Sequence, residues 1–145
     1  MQTEYRHQFV AGTPGLVSDT TPNVIDSRAV EGDNMEFGIG VVVGSVPGET
    51  VRVGVGTFEG VSVNTWVKEL DMDGETVRIP EASSISVMRW GRIWVKLDTG
   101  ASPAYNDSVF LMPTGLFSTS GGTSINGRFL RVDVGGGLAE IELFS

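Results

Sequence analysis

The chain contains no cysteine. That removes disulfide frameworks and thiolate metal sites at once, and nothing in the fold depends on an oxidising compartment. Histidine is nearly absent as well. His7 is the single copy, which leaves a histidine metal centre or a Ser-His-Asp triad without support, and no cofactor is expected. Basic residues are few, 10 against 18 acidic ones, for a formal charge of −8. A nucleic-acid-binding surface needs a basic stripe to displace phosphate counterions, so no nucleic-acid partner is expected. No apolar run approaches the roughly 20 residues of a membrane helix. The start, Met1 to Gln8, lacks the apolar core of a signal peptide. The expectation is a soluble product with no membrane partner.

What is present is glycine, 20 residues in a chain of 145, together with short Val- and Ile-rich runs separated by Gly, Pro, Asn, Asp and Ser. That pattern predicts an all-β domain, a compact antiparallel β-barrel or β-sandwich. The length suits a single domain of ordinary size. Residues 1–34 differ from the remainder. Thr13-Pro14-Gly15, Asp19-Thr20-Thr21-Pro22-Asn23 and Glu31-Gly32-Asp33-Asn34 crowd the segment with turn formers. It reads as an extended N-terminal arm with one short strand, lying on its own barrel or on a neighbour, ahead of a domain at 35–145.

Within that domain, strands are expected over 36–43, 49–55, 60–70, 75–79, 84–89, 92–97, 109–112, 127–134 and 138–144. Asp71-Met72-Asp73-Gly74 and Trp90-Gly91 are read as hairpin turns, and Gly135-Gly136-Gly137 as a third. In the last strand Leu138, Ile141 and Leu143 are out of phase, so a small bulge is expected at Ala139-Glu140, with Glu140 and Glu142 outward.

Several motifs suggest chemistry. Leu97-Asp98-Thr99-Gly100-Ala101-Ser102 is similar to the active-site loop of an aspartic protease, in which two aspartates about 3 Å apart share a proton. One Asp98 per chain would require a symmetric dimer. Fewer than 30 residues then separate it from Gly127, which leaves little room for a flap, and a strand-ending turn is the better reading. Gly38-Ile39-Gly40-Val41-Val42-Val43-Gly44 has dinucleotide-like glycines, but Pro47-Gly48 follows where a helix would have to start. Asp71-Met72-Asp73-Gly74-Glu75 opens like a calcium loop, yet Ala82 stands where the bidentate Glu belongs. Trp66, Trp90 and Trp94 could form a sugar-stacking platform, which keeps a carbohydrate-binding or tail-associated adhesion module as the alternative function; core or interface anchors are the commoner role for such residues.

No catalytic constellation survives, and a family resemblance supplies the leading reading. Its elements follow in order: Ile25 to Gly32, Glu36 to Gly44, then Ile85-Ser86-Val87-Met88-Arg89-Trp90-Gly91-Arg92-Ile93-Trp94-Val95. Gly115-Leu116-Phe117, Asn126-Gly127-Arg128-Phe129-Leu130 and the closing Gly137 to Leu143 complete the series. In this order the chain resembles the head cement, or capsid decoration, proteins of tailed bacteriophages. The resemblance spans about Gly12 to Leu143, and departs at Ala101 to Asp107, where the family's usual segment looks like an apolar-Gly-Asp turn. It implies a non-enzymatic structural protein, made in the host cytoplasm and carried on the outer capsid surface of the virion. Its partner would be the major capsid protein, bound by a homo-oligomer, with a trimer favoured. Candidate contact residues are Phe9, Val24, Ile25 and Arg28 in the arm and Trp66, Trp90 and Tyr105 in the domain.

Overall fold

β-branched residues in short runs, each ended by glycine or a polar turn, leave the backbone no helical alternative. In the computed structural model, which describes residues 14–18, 23–32, 34–64, 71–73, 76–133 and 137–144, there is no helix among those residues. The strands are β1 (Val24–Val30), β2 (Gly40–Val43), β3 (Thr50–Arg52), β4 (Phe58–Val63), β5 (Asp71–Asp73), β6 (Thr76–Arg78), β7 (Ser84–Lys96), β8 (Ser108–Leu111), β9 (Phe117–Ser118), β10 (Thr123–Asp133) and β11 (Leu138–Phe144). The main sheet runs β1-β3-β2-β4-β7-β11-β10-β8-β9, and β1 also pairs with β7, which closes the first five strands into a barrel. β1 lies parallel to β3, and the other pairings in that sheet are antiparallel. β5 and β6 form a separate two-stranded hairpin.

Two cores result. Val30, Val41, Val51, Ile85 and Val87 fill the barrel with Met35, Ile39 and Ile79. β4 contributes small inward groups, Gly60 opposite Val41 and Ser62 opposite Val87. A five-stranded barrel is too narrow for large side chains from every strand. The buried Ser62 hydroxyl donates to the Glu36 carbonyl at 2.6 Å, so its polarity is satisfied. The second core gathers Val61 and Val63 of β4, Met88, Ile93 and Val95 of β7, and Phe117, Phe129, Ile141 and Leu143 from the added strands. A parallel bridge from Leu97 to Phe117 brings β9 back against the end of β7.

β7 belongs to both cores, and here the structure departs from expectation. Residues 84–96 are one continuous strand; Trp90-Gly91 is no hairpin. β1 pairs Val24 with Trp90 but Ile25 with Met88, so β7 carries an extra residue at that point. Such a bulge resets the alternation. Ile85 and Val87 therefore face the barrel, while Met88, Ile93 and Val95 all face the second core. Gly91, at φ +133°, carries the strand through the bend.

The strand expected over 36–43 starts at Gly40, because Phe37-Gly38 forms a turn with Gly38 at φ +78°. β11 needs no bulge: it pairs with β7 in unbroken register from Leu138–Lys96 to Phe144–Trp90. The irregularity lies in β10, between Phe129 and Val132. Ala139, Ile141 and Leu143 share the core face, and Leu138 stands with the glutamates. Glu140 is not an outward solvent-facing group, since it is only 4% exposed.

Residues 24–30, which fall within the 1–34 segment, thus form a barrel strand. Residues 15–18 lie along β7 as well: Gly15 N donates to Trp94 O (2.8 Å), Trp94 N to Leu16 O (3.0 Å) and Ser18 N to Arg92 O (3.1 Å).

Candidate interaction face

Residues directly opposite one another in a sheet place their side chains on the same face. Trp90 is opposite both Val24 on β1 and Phe144 on β11. The three form a row at the junction of the barrel and the added strands, with Trp90 45% and Phe144 42% exposed. Large aromatics left this open on a sheet are typical of a binding surface. Ile25, 40% exposed, follows Val24 on β1 and points to the opposite side of the strand.

Two residues further along the same face, apolar side chains give way to charge. Arg128 Nε donates to Glu142 Oε1 at 2.9 Å, and Arg92 Nε lies 3.5 Å from Glu142 Oε2. The Glu142 carboxylate holds the Arg128 guanidinium even more firmly protonated than usual. Tyr105 lies over this pair, its ring centroid 5.4 Å from the Arg128 guanidinium carbon and its hydroxyl 3.2 Å from Nη1. The loop holding Tyr105 is pinned by its own hydrogen bonds. Ala104 N donates to the Asp107 carboxylate (2.8 Å), Asn106 N to Phe129 O (2.7 Å) and Phe129 N to Asp107 O (3.0 Å). Asn106 takes φ +72°, a conformation its short polar side chain tolerates. Tyr105 is thereby held while 67% exposed.

Beyond that network Trp94 is buried, 3% exposed, with Arg131 stacked 5.4 Å from its ring. Arg131 Nε also donates to Glu140 at 2.8 Å, which supplies the counter-charge that a buried carboxylate requires.

The structure brings together Val24, Trp90 and Tyr105 of the residues singled out in the sequence. Arg28 lies elsewhere. It shares its side of β1 with Val30 and binds Glu59 of β4 at 2.9 Å, while Asp26 accepts from Arg89 at 2.8 Å. Phe9, Trp66 and His7 lie outside the described residues; of the other two tryptophans, Trp94 is buried and Trp90 is exposed. Phe144, Arg92, Arg128 and Glu142 were missed. One signal could have found Phe144: it continues the Leu138, Glu140, Glu142 phase as an aromatic directly after two acidic residues. Asp98 ends the β7 segment in a turn, its amide donating to Phe117 O (2.8 Å) and its carbonyl accepting from Ala101 N (3.0 Å). Gly38 to Gly44 is a turn followed by a strand.

These features define an all-β protein built on a closed five-stranded barrel, whose distinctive surface is an aromatic and arginine-rich sheet face. The comparisons identify its kin. The model for the structural cement protein family (E217 gp24/Pam3 gp6) matches residues 1–144, and the chain belongs to that family. A chain in the solved capsid of Myoviridae phage XM1 superposes with a TM-score of 0.72 at 13% identity, over 92% of this chain and 90% of that one. At such identity the likeness is one of fold. No curated protein sequence matches. The role of this chain is that of its family, structural and capsid-stabilising.

Proposed function

We propose that this chain grips the major capsid protein from the outer surface of the head through the face built on Val24, Trp90, Phe144, Arg128 and Tyr105, and that it performs no catalytic step. The observation that carries the reading is the cross-strand row Val24–Trp90–Phe144, exposed at its two aromatics and continuous with a Tyr–Arg cluster. Trp, Tyr and Arg dominate binding energy at protein interfaces, because each buries a large rigid surface and keeps a polar or cationic handle. A stiff sheet presents Trp90, Phe144 and Arg128, and a hydrogen-bonded loop presents Tyr105, with less ordering cost than a loop that must fold on docking. Copies acting as a homo-oligomer, a trimer by preference, would multiply one modest contact through effective concentration.

The test is titration of purified protein onto expanded, DNA-free capsids of the phage that encodes it. Saturable binding that raises the thermal rupture temperature supports the reading, and Trp90→Ala should weaken it. Decoration unaffected by loss of both Trp90 and Phe144 would sink the assignment of the face. Antibody labelling of intact virions locates the chain outside or inside the shell.

A further inference from the structure

β1 is closed into the barrel along only part of its length. Val24 to Ala29 pair with β7 on one side, but on the other side β3 meets only Ala29 and Val30. Backbone bonds show which groups this leaves over. Val30 N donates to Ser83 O (3.0 Å), on the β7 side. Ala29 N donates to Glu49 O (2.8 Å) and Glu31 N to Val51 O (2.9 Å), on the β3 side. Successive residues of a strand turn their amides to alternate sides, so Ile25 and Ser27 point theirs the same way as Ala29. No strand lies there among the described residues. The Ser27 carbonyl is capped by Arg28 Nη1, which donates to it at 2.9 Å. The Ile25 amide and carbonyl and the Ser27 amide have no such cap among the described residues. Ile25 is 40% exposed, and Ser27 is exposed too. An open edge beside an exposed apolar side chain is a template for another strand.

We infer that residues 4–10 of a neighbouring copy add to β1 as a strand along Val24 to Arg28, with an aromatic side chain against Ile25. Glu4-Tyr5-Arg6-His7-Gln8-Phe9-Val10 alternates Tyr5, His7 and Phe9 with Glu4, Arg6 and Gln8. That is the two-residue period of a strand with one aromatic face. Tyr and Phe favour strands and pack well across them. Reach assigns the stretch to a second copy. Gly15 is bonded at Trp94, and Ser27 stands opposite Ser86. Those two β7 positions are eight residues apart, about 26 Å of strand. His7 to Gly15 is also eight residues, at most about 28 Å when fully extended. Residues 15–18 run toward β1 along β7. A stretch preceding Gly15 must therefore reverse direction to reach its own β1, and no length is left for that. The inference goes beyond the capsid face proposed above. Ile25 points away from the Val24–Trp90–Phe144 row, and the edge supplies a contact between copies.

The chain has no cysteine, so engineered pairs report cleanly. Residues directly opposite in adjacent strands lie close enough for a disulfide. Ser27→Cys is mixed under mild oxidation with Tyr5→Cys, His7→Cys or Phe9→Cys, a set that covers the registers, and linked copies are identified by peptide mass. At least one mixed disulfide should form, and none when Thr99→Cys, at an exposed turn, replaces Ser27→Cys. Absence of any mixed disulfide overturns the inference, as does a His7→Cys/Ser27→Cys double variant that closes only within single chains. Ser27→Pro is the second arm of the test. It removes an amide that points away from β7, a position where an edge strand tolerates proline. Its thermal melt should stay near wild type while self-association, read by sedimentation, weakens about tenfold or more. Ile25→Asp takes its place if it fails to fold. Assembly equal to wild type, or a wild type that stays monomeric, overturns the inference. Should Ser27→Pro weaken capsid binding but leave self-association intact, the edge belongs to a capsid segment and the inference falls. Trp90→Ala/Phe144→Ala tests the capsid face separately, since the mixed disulfides form whether or not that face holds.

Discussion

Replacing Gly91 with alanine probes the point where β7 passes from one core to the other. Its φ of +133° is one that side chains rarely adopt, and an added Cβ would stand 2.7 Å from the Asn23 Cβ and 3.1 Å from the Met88 sulfur. Met88 is flexible and can yield by a few tenths of an ångström. Asn23 directly precedes Val24, which is paired to Trp90, so it is less free to move. Backbone strain contributes about 1–2 kcal/mol, and crowding in a packed site about 1–2 kcal/mol more. The expected loss is about 2–4 kcal/mol. Gly100→Ala supplies the control. Gly100 also has positive φ, +85°, but nothing lies within 4 Å of its added Cβ, so it should lose about 1 kcal/mol from the backbone. Urea unfolding followed by tryptophan fluorescence, extrapolated linearly with m held in common, measures both. Equal losses at the two positions, or a Gly91→Ala loss under about 0.5 kcal/mol, would refute the crowded, continuous strand.

Other substitutions test other parts. Phe129 is fully buried in the second core, so Phe129→Ala should cost about 3–5 kcal/mol by denaturant titration. Arg131→Met strands the buried Glu140 carboxylate and should cost about 1–3 kcal/mol, with Arg131→Met/Glu140→Gln recovering much of the loss in a double-mutant cycle. Glu31 accepts hydrogen bonds from the Ser45 hydroxyl and amide, and those bonds, with Thr50, hold its carboxyl below the ordinary 4.5. A depressed folded pKa gives stability that is present above about 4.5 and fades as pH falls through the folded value. Wild type should therefore lose stability in that acid window, and Glu31→Gln should lose less across it, as read from urea midpoints against pH.

The all-β class was legible because the signals were local: turn residues at short intervals, β-branched runs, and no cysteine or long apolar helix to suggest otherwise. The continuity of β7 was hidden because Trp90-Gly91 carries turn chemistry, and only the pairing of Val24 and Ile25 reveals a bulge there. The burial of Glu140 was hidden for a related reason. Alternation along β11 cannot show that an irregularity in β10 accompanies Arg131 over it. The interaction face was half readable. Val24, Trp90 and Tyr105 stand out as large or apolar groups, whereas Arg92, Glu142 and Arg128 become a cluster only through non-local pairing of three strands. Arg28 looked like a contact in sequence, yet four residues along β1 from Val24 it is taken up by Glu59 of β4.

The central claim is that this face holds the capsid lattice. The most direct measurement is the thermal rupture temperature of expanded capsids incubated with wild-type protein or with a folded Trp90→Ala/Phe144→Ala variant. Wild-type protein should give a clear rise, and the variant at equal concentration a rise lost or much reduced. Equal protection by both proteins would contradict it.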